Sequence, residues 1–264
     1  MIAAFYGLSG LPFEKSTAFE NLFQSAAATE LLSRLSYLQQ QRGMLLLTGE
    51  PGSGKTTIVH SFVHKLNPAT YQVIYLPLST VTSTDFYRQI CRSLTGQTPY
   101  RKSDLYRSTQ AAIQDLVQNK KRIPVIILDE AHMLAHQNLV ELPLLCNFDM
   151  DSVDPLMLIL IGHPQLRERL SRPIYLSISR RVVISFAMPF LTKDETQAYI
   201  EHHLALKKRQ QPIFLDTAFA AIFQNSSGSP AMIAQIVLKA LFIGAQKQLP
   251  TLTEEHIFLA AKEI

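Results

Sequence analysis

Two short runs carry the residue types that phosphate chemistry needs. The first is Gly49-Glu50-Pro51-Gly52-Ser53-Gly54-Lys55-Thr56-Thr57, which fits the spacing G-x-x-x-x-G-K-[ST]. Its glycines let the backbone adopt conformations that a Cβ forbids, so successive N–H groups can converge on phosphate oxygens. A helix starting at about Lys55 would add its positive N-terminal end to the same anion site. Lys55 would reach the β- and γ-phosphates of ATP, and the Thr56 hydroxyl would ligate Mg²⁺. The second run is Asp129-Glu130, at the end of an apolar stretch. Asp129 would hold the Mg²⁺ shell beside Thr56, and Glu130 would orient and deprotonate an attacking water. The plainer alternatives are a glycine-rich turn and a strand ending in solvated acids.

Other residues are open to two readings. His163, in Ile161-Gly162-His163-Pro164, would emerge beside the γ-phosphate and sense nucleotide state, or belong to a plain turn. Arg180 and Arg181 form a solvated face in a monomer. In a ring or filament, Arg181 would reach the γ-phosphate held by a neighbouring copy and stabilise transition-state charge, with Arg180 in reserve. His132/His136 and His60/His64 lie four apart on expected helices, but neither pair has the Glu of a zinc-protease motif, so ordinary helical histidines are expected. Asp129-Glu130-Ala131-His132 spells a helicase-like box. Such helicases need two large nucleotide domains, and about 190 residues of α/β pattern supply one.

The elements that must position these residues follow from apolar periodicity. Strands are expected at 44–47, 72–76, 123–128, 156–161 and 181–186, alternating with helices. Helices are expected at 25–41, from Lys55 to near Pro68, at 85–94 after a polar loop 79–84, from an N-cap at Ser103 to about 120, through about 149, and at 165–170. Such alternation means a parallel sheet covered on both faces. Past Pro189 the pattern turns helical. Thr192 and Glu195 form a capping box, and helices follow at 216–225, 230–246 and 253–262. The organisation is an α/β nucleotide domain, 1–188 with a lead-in 1–24, and a helical lid, 189–264.

The 264 residues are 47% hydrophobic and 17% charged, as in a globular protein that buries a substantial core. No apolar run is long enough to span a membrane and no signal core opens the chain, so a cytoplasmic protein without a membrane partner is expected. Cys91 and Cys146 lack metal-ligand spacing and are expected as buried thiols. A formal charge of +4 permits an anionic partner without requiring one. The basic runs Lys120-Lys121-Arg122 and Lys207-Lys208-Arg209 end expected helices, where cations complement the dipole.

With these residues in view, the chain resembles AAA+ ATPases of the ExeA-like group over nearly its whole length. The resemblance rests on Phe5-Tyr6-Gly7-Leu8 with Pro12-Phe13, the phosphate loop and the acidic pair with Ala131-His132. It continues in the run from Cys146 to Ser152, the run from Leu158 to Leu170, and Ser226-Ser227-Gly228. The group holds secretion ATPases with a membrane segment and short ATPases that accompany DDE transposases, relatives of the MuB, TnsC and IstB regulators. The chain's end at Ile264 without a membrane span favours the transposition branch. The resemblance then implies a three-layer αβα AAA+ domain with a five-stranded parallel sheet and a small helical lid. It also implies ATP- and Mg²⁺-dependent self-assembly, as a ring or helical homo-oligomer on double-stranded DNA, that marks a target for a DDE-type transposase. The alternatives are a motor for secretion or envelope assembly and a nucleotide-gated scaffold with negligible turnover.

In the resembling regulators the loops corresponding to 79–84 and 98–102 face the DNA channel, which points to Thr80, Arg101 and Lys102. Residues 85–107 hold five cations against two acids, and Arg101 and Lys102 beside Tyr100 suit phosphate-backbone contacts, or else form a solvated basic turn. One departure stands out. Ala231 occupies the lid position where the family carries an arginine sensor, which implies weak lid closure, slow hydrolysis and long-lived ATP-bound assemblies.

Overall fold

Five apolar runs set the sheet. In the computed structural model, which describes residues 2–14, 18–77, 82–149, 153–209 and 211–264, they form β1 (Gly43–Thr48), β2 (Tyr71–Leu76), β3 (Ile123–Leu128), β4 (Met157–Gly162) and β5 (Val182–Ala187). The order is β2-β3-β4-β1-β5 and every pairing is parallel. All residues of β1 and β4 are buried, because helices cover both faces of central parallel strands. The edge strands β2 and β5 mix buried with exposed positions, since one side of each meets solvent. Placing β4 between β1 and β3 gathers the loops after all three at one end of the sheet, where ligands of open α/β sheets bind.

The helices in chain order are α1 (Ile2–Phe5), α2 (Ala26–Gln41), α3 (Lys55–Lys65), α4 (Ser83–Thr95), α5 (Lys102–Gln118), α6 (His136–Leu145), α7 (Pro164–Leu170), α8 (Leu176–Ser179), α9 (Lys193–Leu206), α10 (Asp216–Ser226), α11 (Pro230–Gln246) and α12 (Glu254–Lys262). One unit, Glu30–Glu50 with Lys55–Met188, holds the sheet. Its core joins Ile126, Leu128, Leu158 and Leu160 of the central strands to Phe86, Ile90, Ile113 and Leu142 of α4, α5 and α6.

Three expectations are corrected in this unit. The helix expected through 149 is a 3₁₀ turn, Ala131–Met133, followed by α6. Glu130 takes a left-handed conformation, φ 52°, that breaks the chain direction, and α6 closes at Leu145, where the Cys146 N–H turns back to the Pro143 and Leu144 carbonyls. The helix expected from Asp85 starts earlier, at Ser83, because Thr82 caps it by accepting from the Asp85 N–H. Ser103 is not an N-cap: Arg101 holds that position and Ser103 lies inside the first turn of α5. Residues 78–81, including Thr80, lie outside the described residues.

The second unit comprises Met1–Thr29, Pro51–Gly54 and Pro189–Ile264. The lead-in, expected with the sheet, clusters here with the helices, and Tyr6 and Leu8 join a core of Ile200, Leu204, Ile222 and Ile236. Thr192 and Glu195 exchange both bonds of the expected capping box. Apart from the isolated bridge between Phe214 and Leu252, the described residues after Pro189 are helices and loops.

Candidate functional site

The candidate site sits at the ends of β1, β3 and β4. The loop after β1 turns through Gly52 and Gly54, whose φ angles of 78° and 89° favour glycine. Gly52 also has no room for a side chain: a Cβ there would lie 2.8 Å from Ala231 Cβ and 3.0 Å from Ser229 Oγ, and its carbonyl accepts from the Ala231 N–H at 3.3 Å. Loop residues 51–54 and the start of α11 thus pack together within the helical unit. Ala231, where the resemblance implies an arginine sensor, is one of the residues against the loop.

Lys55 opens α3 and is 8% exposed. Its ammonium donates to the carbonyls of Gly49 and Glu50, both at 2.8 Å, which fixes it beside the end of β1. Burial lowers its pKa, and Glu130, Asp129 and Glu50 pull against that shift. A cation held over loop carbonyls by nearby acids fits a phosphate group, whose oxygens take the place of those carbonyls.

Asp129 is 6% exposed, and its two oxygens are divided. Oδ1 accepts from the Glu130 N–H at 2.9 Å, while Oδ2 accepts from Thr56 Oγ1 at 3.1 Å and from the Tyr75 hydroxyl at 2.8 Å. The expected Mg²⁺ ligands, Thr56 and Asp129, are therefore neighbours although 73 residues separate them. A hydroxyl and a carboxylate so placed fit Mg²⁺, which would neutralise phosphate charge when bound. Thr57 follows within the first turn of α3.

Glu130 and His163 also come together. Glu130 Oε2 lies 3.7 Å from His163 Nε2 and 3.3 Å from His132 Nδ1. The two imidazoles stack, with centroids 3.8 Å apart. His163 is the N-cap residue of α7. Close approach of the turn 131–133 to the end of β4 is permitted by Gly162, where a Cβ would meet the His132 backbone nitrogen at 3.2 Å. Arg169 of α7 fixes the turn by donating to the carbonyls of His132 and Leu134.

Two of these residues escaped the sequence reading. Tyr75 shares an exposed strand face with Val73, and an alternation of that kind does not name the aspartate that the phenol meets. His132 was grouped with His136 on one helix. The structure separates them: His132 turns to His163, while His136 Nδ1 lies 2.8 Å from the Tyr175 hydroxyl. His60 and His64 are exposed on α3, and Cys91 and Cys146 are buried thiols outside any disulfide.

The remaining expected residues lie elsewhere. Arg180 and Arg181 precede β5, whose first residue pairs with Met44 at the start of β1. With strands rising about 3.3 Å per residue, Arg181 stands more than about 15 Å along the sheet from Gly49. Lys102 is engaged by Glu141 at 2.6 Å, a carboxylate that also accepts from Ser83 and Gln137. Arg101 is exposed and Tyr100 is 91% exposed. The basic helix ends have structural partners, Lys120 with Asp115 and Lys207 with Glu14. Among the described residues no helix is long and apolar enough to cross a membrane.

Comparison with known proteins agrees with this geometry. Residues 38–170 match the AAA domain family. Over 272 aligned residues the chain is 31% identical to General secretion pathway protein A of Aeromonas hydrophila, covering all of this chain and 48% of that protein. It thus spans about half the relative's length. Among solved structures, ORC1 of Aeropyrum pernix in complex with DNA superposes with a TM-score of 0.66 at 15% identity, covering 99% of this chain and 69% of that one. Drosophila ORC bound to DNA gives 0.63 at 17%, covering 97% and 62%. At such identities these structures are alike in fold.

Proposed function

The chain belongs to the AAA domain family, and from that premise we propose that it is an ATPase that uses Mg²⁺, assembles with copies of itself on double-stranded DNA, and marks a target there for a DDE-type transposase. The observation that carries the nucleotide part is the meeting of Thr56 with the buried Asp129 beside a lysine held by the Gly49 and Glu50 carbonyls. In this reading residues 49–57 hold the phosphates, Thr56 and Asp129 hold Mg²⁺, and Glu130 takes the proton of the attacking water. His163 reports nucleotide state through its proximity to Glu130.

No arginine side chain spans the distance from the start of β5 to the loop after β1, so the reading assigns Arg181 to the site of another copy. The reading assigns DNA contact to Arg101, with Lys102 contributing less because Glu141 already neutralises it. For the DNA part the reading draws on the two ORC structures determined with DNA, which share the fold.

The test has two parts. Lys55→Ala should abolish nucleotide binding, and Glu130→Gln should bind ATP but lose turnover. Wild type should retain duplex DNA and sediment as an oligomer only with ATP and Mg²⁺. A protein that stays monomeric with saturating nucleotide and duplex overturns the assembly reading, and equal complex lifetimes in wild type and Glu130→Gln would leave a scaffold without a hydrolytic cycle. A second reading, an ATPase of secretion or envelope assembly, is favoured by the 31% identity to the secretion protein. It predicts ATP-dependent assembly without retention of DNA.

A further inference from the structure

His132 has no task in the proposed hydrolysis, yet it is built into the site. It is one of three residues whose ligand atoms, with those of Glu130 and His163, all lie within 4.8 Å of one another. Its Nδ1 is buried and makes no hydrogen bond. The Glu130 oxygen at 3.3 Å is its neighbour, and the His163 nitrogen lies 3.7 Å from that same oxygen. In a tetrahedral site with bonds of about 2.0–2.1 Å, neighbouring ligand atoms are about 3.3–3.4 Å apart. Two edges of such a tetrahedron are thus already close to length. Because the rings stack at 3.8 Å, closure requires each imidazole to turn about its side-chain bonds.

We propose that Glu130, His132 and His163 form a site for a borderline-soft divalent cation of the zinc class, separate from the Mg²⁺ site of Thr56 and Asp129, and that its occupation withdraws Glu130 from water and halts hydrolysis. Two imidazoles and one carboxylate are a donor set suited to Zn²⁺, with a fourth position left for water, and poorly suited to Mg²⁺, which prefers oxygen. The side chain of Glu130 is 54% exposed and that of His163 28%, so an ion can enter from solvent, whereas His132 at 14% forms the floor. Arg169 holds the turn beneath His132 through two carbonyls, which keeps the floor in place without occupying an imidazole nitrogen. The metal site stands on its own geometry; the halt rests on the ATPase reading.

The nucleotide-free full chain is titrated with Zn²⁺ by calorimetry and with Co²⁺ by visible absorption, which reports tetrahedral coordination. A single ion should bind, with affinity falling at least about tenfold in His132→Gln and in His163→Gln. Circular dichroism checks that both variants remain folded. The His60→Ala, His64→Ala double variant should bind as wild type does. Absence of binding, or binding that is lost with the His60/His64 pair and kept without His132, overturns the site. In excess Mg²⁺ and ATP, added Zn²⁺ should then slow wild type relative to its metal-free rate and slow His132→Gln much less relative to its own. Turnover unaffected by Zn²⁺ bound at this site overturns the halt, whereas histidine-dependent Zn²⁺ binding by a chain that never hydrolyses ATP keeps the site and sinks the ATPase reading.

Discussion

Tyr75→Phe isolates the contact on which the metal side of the site depends. The phenol donates at 2.8 Å to the same Asp129 oxygen that accepts from Thr56. Hydrogen bonds to a charged partner contribute about 1.5–3 kcal/mol to stability. Tyr75 is 50% exposed, so water can replace the phenol, and the expected value lies near the lower limit, roughly 1.5 kcal/mol. Burial, and next the bond to Asp129, push the phenol pKa up to about 12. The stabilisation from that shift is therefore present below pH 10 and lost only as pH rises through about 12, and the phenol stays a donor at any ordinary assay pH. The chain has no tryptophan, so urea unfolding at pH 7.5 is followed by far-ultraviolet circular dichroism. A double-mutant cycle of Tyr75→Phe and Asp129→Ala removes the cavity and hydration effects of the single changes and leaves the coupling. A coupling below about 0.5 kcal/mol would refute the claim that this bond braces Asp129.

The helical unit should weaken in acid through His203. Burial lowers its pKa to about 4 against packed Phe13 and Tyr199, so the unfolded chain binds the proton more tightly. Stability is then complete above pH 6.5 and falls between 6.5 and about 4, by up to roughly 3 kcal/mol. Thermal melts at pH 7.5 and 5 check this, and His203→Phe should flatten the difference; an equal slope in the variant counts against the assignment. Gly162→Ala should displace the turn 131–133, since its Cβ would lie 2.9 Å from Leu166 Cδ2 and 3.2 Å from the His132 nitrogen; loss of the ring-shifted imidazole proton resonances expected for stacked His132 and His163 measures it. Arg101→Glu should reduce the salt slope of duplex binding by about 1 without lowering the melting temperature. Lys102→Glu should instead lower the melting temperature, because it sets a second acid against the part-buried Glu141.

How far the sequence revealed the site depends on the kind of signal each residue leaves. Residues 49–57 were legible because a phosphate loop needs glycines and a lysine at fixed spacing, and that requirement is local. The apolar runs were legible because central parallel strands are buried on both faces, as β1 and β4 are along their whole length. Tyr75 was not legible: its partner lies 54 residues away, and only the β2–β3 register decides that they meet. His132 was hidden for another reason. A four-residue spacing to His136 imitates a helix face, and the left-handed turn at Glu130 that breaks it has no glycine to announce it.

That turn also explains why Glu130 and not Asp129 faces the histidines. Asp129 continues the ladder of β3 through its N–H to Leu76 and stays buried with both oxygens occupied. At Glu130 the backbone reverses into φ 52°, ψ 36°, a conformation uncommon outside glycine, asparagine and aspartate. The reversal carries the second acid out of the sheet edge and toward the imidazoles. Adjacent carboxylates thereby acquire different work, one buried and hydrogen-bonded through both oxygens, the other half exposed beside two imidazoles. Substituting Asn at 130 would ease the backbone while removing the carboxylate. Comparison with Gln at 130, which keeps the backbone cost, therefore separates the geometry of the turn from the charge it delivers. If the turn serves only to place the acid, the two variants should lose turnover equally, and Glu130→Asn alone should gain stability, by about 0.5–1 kcal/mol.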